Sequence, residues 1–81
     1  MTNDQIENFL QKKGSGELQA RINFKTRQPI TGLFIQSNDY AYLKTKNLWR
    51  IVGENSMKDY LKTKDESLAR IFNGVEFTKL S

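Results

Sequence analysis

The stretch Leu18-Gln19-Ala20-Arg21-Ile22-Asn23-Phe24-Lys25 alternates strictly between apolar and polar side chains. The apolar members fall on one side of an extended chain, and the polar members, two of them basic, fall on the other. A period of two residues is that of a β-strand with one buried face and one solvated face. The sequence therefore predicts a half-buried strand over 18–25, with a solvent-exposed face that is partly basic.

Further β-type runs follow, separated by short turns. They cover 30–36, 40–44, 48–52, 68–72 and 75–80. Gly32 lies inside the second run, where a strand glycine often accompanies a bend or a bulge. Asn73-Gly74 separates the last two runs and predicts a two-residue hairpin, because both central positions of a type I′ turn need a positive φ. Residues 45–47 could be a turn or a continuation that joins the runs 40–44 and 48–52, and about five short antiparallel strands are expected.

Two segments have helical patterns instead. The first spans 2–13: Ile6, Phe9 and Leu10 share one face, Thr2 and Gln5 have capping-box spacing, and Gly14 ends the helix. The second is a short inserted helix near 56–62. Ser56 caps it, Asp59 stands at the capping-box position, and Met57, Tyr60 and Leu61 form its apolar side.

These elements predict one mostly β domain over 1–81. It consists of the N-terminal helix 2–13 and a small five-stranded antiparallel barrel over 18–80, which carries the inserted helix. A closed or nearly closed barrel removes its own strand edges. The alternative is an open meander with two helices on one face.

The composition excludes most catalytic chemistry. The chain has no cysteine and no histidine, so thiolate nucleophiles, the usual general base and the commonest transition-metal ligands are absent. Gly14-Ser15-Gly16 is not a dinucleotide fingerprint, because Gln19 stands where a glycine is needed. Asp65 and Glu66 are more plausible as solubilising charges than as a metal pair. We expect no enzyme, no metal and no cofactor.

No apolar run is long enough to span a bilayer, and residues 1–5 lack the basic and apolar parts of a secretory signal. The sequence thus predicts a cytoplasmic protein without a membrane partner.

The charge distribution suggests an anionic partner. The chain has thirteen Lys and Arg residues and nine Asp and Glu residues. Between Arg21 and Arg50 there are six basic residues and one acid, Asp39. Single-stranded nucleic acid sites combine cations for phosphates with flat rings for bases. Tyr40, beside the Asn38-Asp39 turn, is the best stacking candidate. The competing interpretation is that the cations are solvated and that most rings, with Phe34, Trp49, Phe72 and Phe77 foremost, belong to the core.

The order of elements resembles the Sm/LSm/Hfq family. Residues 18–43, with Gly32 and Asp39, resemble its first motif, and Ala69-Arg70-Ile71-Phe72-Asn73-Gly74-Val75 resembles its second. Four features depart from the family pattern. The Gly32–Asp39 interval is about one residue longer, Phe72 and Asn73 stand where an arginine would precede the closing glycine, and the Hfq-type histidine is missing. The inserted helix, Met57 to Leu61, also enlarges a loop that is variable in the family.

This resemblance implies a bent, Sm-like or SH3-like five-stranded barrel that joins its neighbours edge to edge in a homo-oligomeric ring. It also implies binding of single-stranded RNA. The RNA-binding residues would be Asn38, Asp39, Tyr40, Arg70, Asn73 and Gly74. An Asn or Asp in a turn can bond a base edge, a tyrosine can stack on the base, and an arginine can hold phosphate. Asp39 could instead brace its own turn.

A second hypothesis is a small SH3-like barrel acting as a protein-protein interaction module. In that case Trp49 and Tyr42 would be exposed and would bind a peptide or the edge of a β-sheet.

Overall fold

The computed structural model describes residues 1–13 and 18–81. Within them lie the helices α1 (Asn3–Lys12), α2 (Tyr40–Thr45) and α3 (Glu54–Thr63). The strands are β1 (Gln19–Phe24), β2 (Ile30–Phe34), β3 (Leu48–Gly53), β4 (Arg70–Asn73) and β5 (Phe77–Leu80). Two 3₁₀ turns, Glu66–Leu68 and Gly74–Glu76, lie before and after β4; the second is called the corner turn below. The predicted helix stop at Gly14 falls outside the described residues.

The five strands form one antiparallel sheet in the order β4-β3-β2-β1-β5. A register shift between Asn23 and Phe24 marks a bulge in the pairing of β1 with β5, so the irregularity does not lie at Gly32. β4 and β5 stand at opposite ends of this order, and within the described residues neither has a second strand partner. The predicted five-stranded antiparallel sheet with helices is confirmed, but the sheet is not closed.

Both faces of the sheet carry buried side chains. On one face, Ile6 and Leu10 of α1 pack against the main core, which includes Ile22, Phe34, Trp49, Ile51 and Phe77. On the other face, Leu33, Ile35 and Val52 contact Met57 and Tyr60 of α3. The alternation predicted for β1 is confirmed, because Ala20, Ile22 and Phe24 are buried while Gln19 and Arg21 are exposed. Most burial therefore comes from side chains that alternate along three central strands.

The N-terminal helix forms as predicted. The Thr2 hydroxyl oxygen accepts a hydrogen bond from the Gln5 backbone N–H at 3.2 Å, and the Gln5 side chain accepts one from the Thr2 N–H at 3.0 Å. This reciprocal capping box satisfies two backbone donors that the first helical turn leaves without partners. The inserted helix is also confirmed, but it begins two residues earlier than predicted, with Gly53 and not Ser56 at its N-cap.

The predicted strand over 40–44 is wrong: these residues begin α2. Leu43 is buried and Tyr40 is half-buried, while Ala41 and Tyr42 are exposed. That spacing of three residues places one side of a helical turn against the core. A strand would have placed Tyr40 and Tyr42 on the same face, so the apparent alternation of this short run is misleading.

The predicted Asn73-Gly74 hairpin is also wrong. β4 pairs with β3 and β5 pairs with β1, and the corner turn joins them. Asn73 has φ −88° and ψ 119°, and Gly74 does not adopt a left-handed conformation. Glycine is needed at position 74 for another reason, because a Cβ there would come within 2.5 Å of the Ile6 Cδ1 and would overlap the Asn47 side chain. Tertiary packing thus overrides a strong local turn signal.

Gly32 and Gly53 are cross-strand partners with opposite surroundings. A Cβ on Gly32 would overlap Cγ2 of Ile51, which is fully buried, whereas a Cβ on Gly53 would have no atom within 4 Å. We expect Gly32→Ala to lower the free energy of unfolding by about 1–3 kcal/mol, as overpacking does. Gly53→Ala, the matched control, should change it by less than about 1 kcal/mol, the cost of alanine at an N-cap. Urea unfolding of both variants measures this, and equal effects would contradict the steric assignment.

Candidate functional site

The Asp39 carboxylate is engaged by two neighbouring side chains. Arg50 donates to it twice, from Nη2 to Oδ2 at 2.6 Å and from Nε to Oδ1 at 3.2 Å. The Ser37 hydroxyl also donates to Oδ1, at 2.7 Å. The hydrogen bonds from Arg50, followed by that from Ser37, lower the pKa of Asp39 from 3.8 to about 2. Asp39 therefore ties the loop before α2 to β3, and as an acceptor it is largely occupied.

Asn38 stands beside this ion pair with its side chain exposed. Together with Ser37, Asp39 and Arg50 it lines an open pocket of about 370 Å³, which Glu66 and Ser67 complete. Among the described residues, no hydrogen bond engages the Asn38 side-chain amide. This amide is the member of the predicted turn that is free to contact a ligand.

Tyr40 points toward the core and not toward the solvent. Its ring meets that of Trp49 edge-on at a centroid distance of 6.0 Å, and Lys44 Nζ lies 5.8 Å from the Tyr40 centroid. Lys44 is held in turn by Glu7 of α1 in an ion pair of 2.7 Å. Burial raises the pKa of the Tyr40 phenol above its usual value. The side chain therefore secures α2 to the sheet and offers little free surface for stacking.

Tyr42 is the exposed ring that sequence reasoning did not select as a stacking surface. It is 62% exposed, and Lys46 Nζ lies 5.5 Å from its centroid. The helical turn of α2 rotates Tyr40 inward and Tyr42 outward, so the spacing of Tyr40 and Leu43 was the signal that could have identified it. Trp49 is only 1% exposed, so the expectation that it grips a peptide is wrong.

The second group of predicted residues lies along β4 and the corner turn. Arg70 begins β4 opposite Ile51 and is exposed, and Asn73 ends the strand, also exposed. The Asn73 Oδ1 accepts a hydrogen bond from the Val75 N–H at 3.0 Å, which caps the corner turn. Gly74 is buried. None of the three lines the Asn38 pocket, so the six predicted residues form two separate groups.

Asn47 connects the end of α2 to the corner turn. Its backbone carbonyl accepts a hydrogen bond from the Gly74 N–H at 2.8 Å, and its side-chain Oδ1 accepts one from the Trp49 indole at 2.8 Å. Its Nδ2 donates to the Met1 carbonyl at 3.0 Å. Asn47 adopts φ 58°, a left-handed conformation that asparagine tolerates better than most residues. No sequence pattern pointed to this residue.

The described residues contain few ion pairs for so basic a chain. The two present are Lys44–Glu7 and Arg50–Asp39. Several other cations rest on aromatic rings: Lys13 on Phe9, Arg27 on Phe24 and Phe72, Lys46 on Tyr42, and Lys64 on Tyr60. Such pairs keep the positive charge at the surface while the aliphatic stem covers apolar area. These pairs lie on separate elements, and Tyr42 is the one exposed ring among them.

Over residues 1–13 and 18–81 there is no group of three acidic side chains placed to hold a metal ion. Across the same residues, no helix combines the length and the apolar character that crossing a bilayer requires. No family model matches the chain, and neither curated proteins nor solved structures show a significant similarity to it.

The Asp39–Arg50 ion pair should make stability depend on pH in a defined range. Because folding lowers the pKa of Asp39, the contribution of this carboxylate is fully present above pH 3.8 and is lost as the pH falls through about 2. We therefore expect the difference in unfolding free energy between wild type and Asp39→Asn to be constant near neutrality and to shrink across that range. Urea unfolding at several pH values measures it.

The control for this experiment is Arg50→Gln, which removes the main hydrogen-bond donor to Asp39. In that background, Asp39→Asn should show a much weaker dependence on pH. A difference that stays constant down to pH 2, or one that is unchanged by Arg50→Gln, would contradict this account.

Proposed function

We propose that this protein is an Sm-like small β-barrel, partly open, which self-associates and binds single-stranded RNA. The observation that carries the proposal is the exposed ring of Tyr42 with the ammonium group of Lys46 beside it, 5.5 Å from the ring centroid. Phosphates attract such cations, and bases stack on rings and on guanidinium groups. The absence of histidine and cysteine from the chain argues against the commonest catalytic alternatives.

The barrel architecture is supported by a contact between strands that are not neighbours in the sheet. Phe24 of β1 lies 5.9 Å from Phe72 of β4, measured between ring centroids, although β2 and β3 separate the two strands in the sheet order. The three-residue corner turn keeps the adjoining ends of β4 and β5 close in space. An open sheet with contacts of this kind curls around a common core.

Self-association is supported by the two edge strands. β4 and β5 each have four residues and one backbone edge without a strand partner among the described residues. Ile71 in β4 is 49% exposed, which is high for an isoleucine in a strand. Pairing β4 of one copy with β5 of the next would satisfy these backbone groups and bury Ile71, and repetition of this contact would close a ring.

The six candidate RNA-binding residues divide into two roles. Asn38, Arg70 and Asn73 have exposed side chains and make the contacts with RNA. Asp39, Tyr40 and Gly74 act indirectly: the first two hold the loop and α2 against the sheet, and Gly74 lets the corner turn approach Asn47. Tyr42 and Lys46 add a stacking surface and a cation.

Binding of a short single-stranded RNA by fluorescence anisotropy tests the RNA proposal. The logarithm of the affinity should fall with the logarithm of the salt concentration, and Arg70→Gln should weaken binding and reduce the slope by about 0.7, the value for one phosphate contact. Lys62→Gln on α3 is the control, since it removes the same charge away from the candidate residues. No binding, or equal effects of both substitutions, would contradict this site. A salt-insensitive peptide ligand would favour the protein-binding alternative.

Native mass measurement tests the edge contact. We expect the wild type to form a homo-oligomer at micromolar concentration and Ile71→Lys to shift it toward the monomer, because a charge would enter the strand interface. Leu61→Lys is the matched control, since Leu61 is 43% exposed but lies on α3. A wild type that is monomeric, or two variants that dissociate alike, would contradict pairing through β4.

A further inference from the structure

A pocket lies where the β1–β2 turn meets the end of β4. Its volume is about 290 Å³, and it is lined by Phe24, Thr26, Arg27, Phe72, Asn73 and Glu76. These residues come from two segments of the chain, 24–27 and 72–76. Only Asn73 belongs to the six candidate RNA-binding residues, so the pocket is largely a different site.

Arg27 forms one wall of this pocket and is held by two rings. Its Cζ atom lies 5.0 Å from the ring centroid of Phe24 and 5.8 Å from that of Phe72. The two rings are themselves packed together, with centroids 5.9 Å apart. The Arg27 side chain is nevertheless exposed. A guanidinium that rests on rings on one side and is open on the other offers a flat, preoriented surface on which a base can stack.

The polar wall of the pocket consists of Thr26, Asn73 and Glu76. Because the Asn73 Oδ1 already accepts the Val75 N–H, the group left to meet a ligand is the Nδ2 donor. Glu76 is fixed through its backbone, where its carbonyl accepts the Lys25 N–H at 3.0 Å. Within residues 1–13 and 18–81 its carboxylate has no ion-pair partner. The pocket therefore presents an amide donor and a carboxylate acceptor beside the stacking surface.

This combination matches one nucleobase best. The Watson–Crick edge of guanine carries two adjacent N–H donors, N1–H and N2–H, next to the O6 acceptor. A carboxylate can accept both donors, and an amide NH₂ can donate to O6. The edges of adenine, cytosine and uracil do not present two adjacent donors, so they leave part of the carboxylate without a partner.

We propose that the pocket between Arg27, Asn73 and Glu76 binds a guanine base of single-stranded RNA. This inference rests on the proposed RNA-binding function and adds base specificity to it. Arg27 stacks on the base, Glu76 accepts from N1–H and N2–H, and Asn73 donates to O6. Exposed cations at other positions hold the phosphates and contribute no preference among bases.

The first test uses free nucleotides, so that it does not depend on binding to a strand. In ¹⁵N-resolved NMR titrations, GMP should shift the Arg27 Nε–H and the Asn73 side-chain amide signals more strongly than AMP does. IMP, which lacks the N2 amino group, should bind more weakly than GMP. Equal responses to the three nucleotides would overturn the assignment of the guanine edge.

The second test compares short RNAs of uridines that carry either one central guanine or one central adenine. The wild type should prefer guanine about tenfold, the value of one good bidentate contact. Glu76→Gln should abolish that preference, while the uridine-only strand should bind as tightly as to the wild type or more tightly, because a negative charge is removed. Arg27→Lys keeps the charge but loses the planar stacking group, so it should weaken binding of both strands. Glu54→Gln on α3 is the charge-matched control.

The possible outcomes of these tests distinguish a failure of the guanine pocket from a failure of the proposed RNA-binding function. RNA binding without a guanine preference, or with one that survives Glu76→Gln, overturns the guanine pocket and leaves the RNA function standing. A GMP response at Arg27 and Asn73 without binding of any RNA strand supports the pocket and overturns the RNA function. The loss of both responses overturns both proposals.

Discussion

The fold depends on the hydrogen bonds that Asn47 makes from the junction of α2 and β3. One residue satisfies the indole N–H of the buried Trp49, the carbonyl of Met1 and the N–H of Gly74. A buried donor without a partner costs about 1–3 kcal/mol, and Asn47 satisfies two donors on buried residues, the Trp49 indole N–H and the Gly74 N–H. Gly74 can approach Asn47 this closely only because it lacks a Cβ. The corner turn, the largest core side chain and the start of α1 are thus mutually dependent.

The helices on the two faces of the sheet differ in how many of their side chains are buried. α1 contributes the buried side chains of Ile6 and Leu10, whereas no residue of α3 is buried. Fewer buried contacts imply that α3 opens at a lower free energy than α1 does. At its end, Lys64 takes the left-handed C-cap position at φ 58°, which glycine more often occupies. The α1 face is therefore the more rigid side, and it supports Trp49 and Tyr40 beneath the loop that precedes α2.

Local sequence patterns correctly predicted the elements that local interactions stabilise. The Thr2 capping box and the alternation of β1 are both confirmed. The strand over 40–44 failed because a short alternating run also fits one helical turn, and the hairpin failed because Gly74 packs against residues distant in sequence. The sites were harder to predict for the same reason. No residue near Asp39 in the sequence indicates its partner in β3, and the Arg27 pocket combines two segments that are distant in sequence. Composition was informative about chemistry, because a chain without histidine and cysteine lacks the commonest catalytic side chains.

The position of β5 beside β1 affects how the chain can fold. β1 ends at Phe24, but β5, its second neighbour in the sheet, begins only at Phe77. The ring of Phe34 in the core likewise gains its contact with Phe77 only after that residue has been synthesised. During synthesis the β1–β2–β3 meander can form early, while one edge of β1 stays unpaired until residues 77–80 have emerged. Closing so long a loop is entropically slow, and a bare strand edge is prone to pairing with other chains. Of the five strands described, the last one synthesised thus protects an edge of the first.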